Sequence, residues 1–213
     1  MSDDTGPISL RLTTSDDEDL EAEWQCPTVL PSAAVVLAHP HPAQGGNMRS
    51  LVTSELFRSL PALGVAVLRF NFRGVEGSSG THGGGQPERA DVVAAIDALA
   101  LRHPDVPLVV SGWSFGADVS LGVDDPRISG WFAVAPPLRI LTSDEFVAGA
   151  DPRPKHLAVP EHDQFNPPDR CRRKVEHWVE TSIEVVAGAD HFLVGRTQLL
   201  AKSVATFSAA LRR

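Results

Sequence analysis

Val109-Val110-Ser111-Gly112-Trp113-Ser114-Phe115-Gly116-Ala117 is the stretch that decides the fold. It starts as an apolar run and ends among glycines and small residues, with Ser114 between Gly112 and Gly116 in the pattern G-x-S-x-G. A buried strand, an abrupt turn and the start of a helix fit that composition, and such a turn lifts a serine hydroxyl above the end of a sheet. A serine hydroxyl is a poor nucleophile at neutral pH and needs a base beside it. Gly112 and Gly116 are expected to be glycine because a side chain at either would strike the strand or helix flanking the turn. The pattern alone also fits a strand–helix turn without chemistry, so the surrounding chain has to decide.

Upstream, Ala33-Ala34-Val35-Val36-Leu37-Ala38 is continuously apolar, as a strand covered on both faces should be, and 65–70 repeats the signal. Between them, 48–60 is predicted helical, with Met48, Leu51, Val52, Leu56 and Leu60 on one stripe and Gly64 closing it. Residues 87–101 form the next predicted helix, with Pro87 in its first turn and Val92, Val93, Ile96 and Leu99 facing inward. Downstream the alternation continues: strands at 128–135, 155–160 and 181–187, helices at 167–179 and 195–211. The N-terminal part reads differently. Ile8, Leu10 and Leu12, then Leu20, Ala22 and Trp24, alternate with polar residues around the acidic tip Ser15-Asp16-Asp17-Glu18-Asp19. That is an edge hairpin with one wet face, and its tip lacks the glycine and distal glutamate of a calcium loop. The expected fold class is α/β: a mostly parallel sheet of about seven to eight strands with an antiparallel N-terminal hairpin, helices on both faces and no cap domain. Residues 1–7 are expected to be disordered and 8–213 to form one domain.

Composition narrows the function. The 213 residues are 42% hydrophobic and 22% charged, ordinary for a globular chain, and the net charge of -8 argues against a nucleic-acid partner. No run approaches the roughly 18 apolar residues of a membrane span. The acidic start Met1-Ser2-Asp3-Asp4 lacks the regions of a signal peptide, so the expected location is cytoplasmic. Cys26 and Cys171 match no metal spacing and are expected as free thiols. Exposed sheet edges would support a homodimer, though nothing in the sequence demonstrates one.

Ligands of such sheets bind beyond the C-terminal ends of the parallel strands, so each exit is read in turn. Strand 33–38 leads into His39-Pro40-His41-Pro42-Ala43-Gln44-Gly45-Gly46-Asn47. An acyl-transfer site needs backbone N–H donors for the developing oxyanion. One comes from the residue after the nucleophile, Phe115. Pro40 and Pro42 have no N–H, which leaves the amide of His41 as the second. H-x-H can also hold zinc, but only Asp163 and His191 offer further ligands, so no metal and no cofactor are expected. His39 can hydrogen-bond loop backbone and hold the turn. The glycines of the 74–86 loop do not match a phosphate-binding spacing, and Arg73 is read as structural, bonding loop carbonyls or a carboxylate. After 128–135 come Pro136-Pro137 and about seventeen residues, room for a small helix near 142–148 and not for a lid.

Strand 155–160 exits into Glu161-His162-Asp163, and strand 181–187 into Gly188-Ala189-Asp190-His191-Phe192. A histidine acting on serine needs a carboxylate on its other ring nitrogen. His191 and Asp163 are placed for those parts. Glu161 is the alternative acid, and Asp144 or Glu145 a more remote one; Asp190 would point away from its neighbour's ring. Trp113, Phe165 and Phe192 could line an apolar pocket or be core. His82, His103, His156, His162 and His177 are read as surface or cap residues.

With serine, acid and histidine in that order at strand exits, the chain resembles the α/β-hydrolase superfamily over 8–211, and is most similar to the small, lidless bacterial hydrolases near dienelactone hydrolase. The resemblance rests on His39-Pro40-His41-Pro42 with Gly45-Gly46, on Phe72-Arg73-Gly74-Val75-Glu76-Gly77-Ser78-Ser79-Gly80, which departs at Glu76-Gly77, and on Gly112-Trp113-Ser114-Phe115-Gly116. It implies Ser114 as nucleophile, His191 as base, Asp163 as orienting acid, and the amides of His41 and Phe115 as oxyanion hole. Dienelactone hydrolases proper carry cysteine where Ser114 stands, so lactone specificity does not follow, and a tyrosine oxyanion donor is excluded because the chain has no tyrosine. The expectation is cleavage of a small-molecule carboxylic ester or thioester. A binding or scaffolding module on the same fold, or a peptidase or amidase, are the alternatives.

Overall fold

The computed structural model describes residues 6–211, so residues 1–5 of the expected disordered start lie outside the described residues. Eight strands form one sheet: β1 (Ile8–Thr13), β2 (Asp19–Gln25), β3 (Ala33–Ala38), β4 (Val65–Phe70), β5 (Leu108–Trp113), β6 (Ile128–Val134), β7 (Lys155–Pro160) and β8 (Thr181–Val186). Their order across the sheet is β1-β2-β4-β3-β5-β6-β7-β8. β1 pairs antiparallel with β2, and β2 with β4; every other pairing is parallel. The short N-terminal strands therefore extend a parallel sheet with an antiparallel ribbon, as the two kinds of alternation predict.

Among the described residues five α-helices cover the sheet: α1 (Leu51–Ser59), α2 (Glu88–Arg102), α3 (Phe115–Leu121), α4 (Pro168–Lys174) and α5 (Thr197–Ala210). Successive residues of a strand face opposite sides. In β3, Ala34, Val36 and Ala38 join one buried cluster with Ile96 and Leu99 of α2 and Val119 of α3. Val35 and Leu37 join the other, with Val52 and Leu56 of α1 and Leu200 and Val204 of α5. The central strands are thus apolar on both sides because both sides are covered.

Three elements differ from the sequence-based expectation. α1 starts at Leu51 instead of 48, because the Met48 amide is donated to Asn71 Oδ1 at the end of β4 and Asn47–Ser50 closes a separate turn. Leu51 is consequently exposed. α4 stops at Lys174, and the chain to Trp178 runs in turns, so the predicted helix 167–179 is half as long. The stretch between β6 and β7 holds two short 3₁₀ turns, Ser143–Glu145 and Val147–Ala150, in place of a helix. Among the described residues no cap domain covers the C-terminal edge of the sheet.

Candidate active site

The strand register aligns the exits. Ala38 of β3 pairs with Gly112 of β5, Trp113 with Val134 of β6, and Pro160 of β7 with Val186 of β8. The loops that follow all emerge on one side of the sheet, and Ser114 sits in the middle of them.

Ser114 has φ 56° and ψ -115°, a backbone conformation that residues with a Cβ rarely adopt. The turn is held by its N–H, donated to the Val134 carbonyl at 2.9 Å, and by its carbonyl, which accepts from Ala117 at 3.0 Å. The glycines beside it are required. A Cβ on Gly112 would lie 2.3 Å from the carbonyl carbon of Gly116, and one on Gly116 would lie 2.4 Å from the Ala38 carbonyl oxygen. Both collisions are with backbone, as the sequence predicts.

His191 and Asp163 come to this serine from two different loops. The His191 Nδ1–H donates to Asp163 Oδ2 at 2.8 Å, and its Nε2 stands 2.9 Å from Ser114 Oγ, placed to accept the hydroxyl proton. His191 is 4% exposed and Asp163 3%, so the hydrogen bond between them is shielded from competing water. The other Asp163 oxygen accepts the N–H groups of Phe165 and Asn166. Burial on its own would raise the Asp163 carboxyl. The His191 hydrogen bond and the two amides outweigh it and hold the group below its ordinary value. The Trp113 indole donates to the His191 backbone carbonyl at 3.1 Å, and the Phe165 ring meets the imidazole edge-on with 4.5 Å between ring centres, so backbone and ring each have a contact.

The loop after β3 is built to stay in place. The buried His39 ring donates Nδ1–H to the Pro40 carbonyl and accepts the Phe72 amide at Nε2. Burial pushes its imidazole down to about 3, so it is neutral, and both ring nitrogens are occupied. It holds the turn, as expected, and has no nitrogen left for a metal. The His41 ring accepts the Ala43 amide, and its carbonyl accepts from Gln44 and Gly46. Gly46 packs against Pro40 so closely that a Cβ would lie 2.2 Å from that carbonyl oxygen. Phe115 is the first residue of α3, so its N–H is among those a helix leaves without an internal acceptor. His41 and Phe115 both line the cavity over Ser114.

The alternative acids lie elsewhere. Glu161 accepts the Gly188 amide, Asp190 accepts the Phe192 amide, and Asp144 and Glu145 close a turn with Thr142. Arg73 is buried between Asp91 and Asp16, so of its two expected kinds of partner it takes carboxylates. Two histidines read as surface or cap residues are more than that. His82 packs against the rings of His41 and Phe115 and faces the buried Glu88 at 2.7 Å. His156 lies in β7, stacked on Phe132 and bonded to Ser182 and Glu184.

A cavity of about 690 Å³ opens over Ser114. Trp113, Phe165 and Phe192, which the sequence leaves open between pocket and core, line it together with Leu51, Ile140 and Arg139. The last two are set by a device that sequence reading misses. Asp118 of α3 is fully buried and accepts the amides of Leu138, Arg139 and Ile140 at 2.9, 2.9 and 3.0 Å. Lys174 of α4 donates to the carbonyls of Pro137 and Leu138. Leu138 has φ 50°, so this clamp holds a strained turn. The one signal in the sequence was a carboxylate four residues after Ser114 in a short helix otherwise made of small and apolar residues.

Residues 31–211 match the alpha/beta hydrolase domain family. The chain belongs to that family. It is 31% identical over 185 residues to an uncharacterized protein of Rickettsia prowazekii, covering 82% of this chain and 78% of that one. Among solved structures it is similar to an alpha-beta serine hydrolase homologue from Coxiella burnetii, with a TM-score of 0.80, 26% identity and coverage of 97% of this chain and 98% of the other. It also shares its fold with a serine hydrolase without lid from Xanthomonas campestris, with a TM-score of 0.83, 23% identity and coverage of 95% and 93%. These likenesses support a hydrolase. Within this hydrolase fold, among the described residues, no helix is long and apolar enough to cross a membrane.

Proposed function

We propose that the protein is a serine hydrolase that cleaves carboxylic esters or thioesters through an acyl-enzyme. The observation that carries the reading is one imidazole between two partners: His191 has Nδ1 at 2.8 Å from Asp163 Oδ2 and Nε2 at 2.9 Å from Ser114 Oγ. A carboxylate at Nδ1 fixes the proton there, which leaves the Nε2 lone pair facing the serine. In the first half of the reaction Ser114 Oγ bonds to the substrate carbonyl carbon and its proton passes to His191 Nε2. The tetrahedral oxyanion is held by the amides of Phe115 and His41. Collapse breaks the bond to the alcohol or thiol, which leaves with the proton from His191. In the second half water attacks the acyl-enzyme, gives its proton to His191, and releases the acid and free Ser114. The ionised Asp163 stabilises the imidazolium in both halves.

Labelling with a fluorophosphonate probe, followed by peptide mapping, tests this. The expected result is stoichiometric modification of Ser114, abolished in Ser114→Ala and slowed on the order of 10³-fold or more in His191→Ala. Folded protein that takes up no label would overturn the reading and leave a binding role on this fold.

A further inference from the structure

We infer that Arg139 is a specificity-determining residue that selects an ester or thioester bearing an anionic group, a carboxylate or a phosphate, remote from the scissile bond. The inference rests on the hydrolase reading above and concerns what enters its cavity. Several arginines of this acidic protein are closed by carboxylates: Arg11 by Asp19, Arg69 by Glu23, Arg73 by Asp91, Arg127 by Asp125 and Arg153 by Asp151. Arg139 is different. It is exposed, lines the cavity of Ser114, and its guanidinium carbon lies 5.2 Å from the centre of the Phe165 ring. Among the described residues no carboxylate closes its side chain.

The fold takes trouble to put it there. The backbone amides of Arg139 and both its neighbours are held by the buried carboxylate of Asp118, and the turn includes a left-handed Leu138. Backbone strain of this kind persists where the surroundings enforce it, and it clusters at functional sites. Two neighbouring cations are engaged with backbone. Lys174 serves the carbonyls of Pro137 and Leu138, and Arg170 donates to the Phe165 carbonyl. Arg139 lines the opening with its guanidinium over the Phe165 face, and a guanidinium placed on an aromatic face keeps N–H donors for an anion. Next to it the wall is apolar, from Phe165, Ile140 and Trp113. A molecule that fits both surfaces has an apolar middle and a negative end.

The negative end has two sources, the acyl part and the leaving group, and paired substrates separate them. Mono-p-nitrophenyl glutarate against p-nitrophenyl pentanoate places a carboxylate on the acyl side. S-butyryl-4′-phosphopantetheine against S-butyryl-N-acetylcysteamine places a phosphate on the leaving group. The readout is the ratio of kcat/KM, anionic over neutral, within each pair. In the wild type we expect one ratio to exceed unity by about ten- to hundredfold, the range for one hydrogen bond to a charged group. The same ratio is expected to collapse towards one in Arg139→Gln, to be partly retained in Arg139→Lys, and to shrink as salt is raised. The pair that responds identifies the source. Ratios near unity in both pairs, or a ratio that Arg139→Gln leaves unchanged, would overturn the inference while the hydrolase reading stands. Absence of both ester turnover and fluorophosphonate labelling would overturn the two together. Because the Asp118 carboxylate grips the backbone and not the Arg139 side chain, both variants are expected to fold, which an unchanged urea midpoint verifies.

Discussion

Asp118 serves three amides with two oxygens, so Asp118→Asn replaces one acceptor by an NH₂ group facing peptide N–H donors. Leaving buried donors unsatisfied costs about 1–3 kcal/mol each, and the expected loss of stability is about 2–4 kcal/mol, read from the urea midpoint. The same variant releases the turn that carries Arg139, so it should also flatten any anionic selectivity. A second residue-scale test lies on the other side of Ser114. In Gly46→Ala the new methyl would sit 2.2 Å from the Pro40 carbonyl oxygen, and the loop carrying the His41 amide has to move. A fall in kcat of about 10²–10³ with ester substrates, the usual result of losing one oxyanion donor, is expected. A variant with wild-type kcat would remove His41 from the proposed oxyanion hole. At this scale Ser114, His191 and Asp163 could be picked out, because each stands just past a strand in the alternation of strands and helices. Asp118, Lys174 and Arg139 were not. They meet through a loop without periodicity, and no local pattern encodes which carboxylate a distant turn will find.

Among the elements, the central strands were read most faithfully, since a strand covered on both faces must be apolar throughout and the runs have sharp ends. Helix boundaries were read less well. Met48 has the right spacing for the α1 stripe and is buried, yet it is tied to Asn71 outside the helix. Apolar spacing reports which face is covered, and here a turn before the helix is covered by the same core. The link between the N-terminal hairpin and α2 was also hidden. Arg73 follows β4, and its guanidinium joins Asp91 of α2, fully buried, to Asp16 at the hairpin tip. Removing one partner of a buried pair strands the other charge. Arg73→Leu is therefore expected to destabilise by about 3–5 kcal/mol, and Arg73→Leu combined with Asp91→Leu to recover part of that loss, as a double-mutant cycle in urea would register. Equal or greater destabilisation in the double variant would mean that packing, not charge, sets the cost.

For the whole molecule, the pH dependence of stability has an identifiable contributor. Burial holds the His39 imidazole down to about 3, whereas a histidine in the unfolded chain titrates near 6.5. Between those values the unfolded state takes up a proton that the native state refuses, so stability is full above about 6.5 and is lost as pH falls towards 3. Asp91 and Asp118 act in the opposite sense: burial raises both to about 6, and the native state holds their protons more tightly than the unfolded chain between 3.8 and 6. Those groups are shared by wild type and His39→Gln, so the difference between the two proteins isolates His39. The variant is expected to be the less stable at pH 7, with the gap narrowing on acidification. A gap that stays constant from pH 7 to pH 4 would show that His39 is not held neutral.

Ser114 sits in the turn directly after β5, but the groups that would activate it arrive with the loops after β7 and β8, and His191 follows the serine by 77 residues. Synthesis runs from the N-terminus, and a chain can fold only what has emerged. On the reading proposed here, a nascent chain that has completed β5 carries an ordinary alcohol, inert toward the esters around the ribosome. Chemistry switches on when the last strand docks beside β7 and Trp113 catches the His191 carbonyl. Fragments ending before that strand would be silent as hydrolases, so maturity and reactivity arrive in one step.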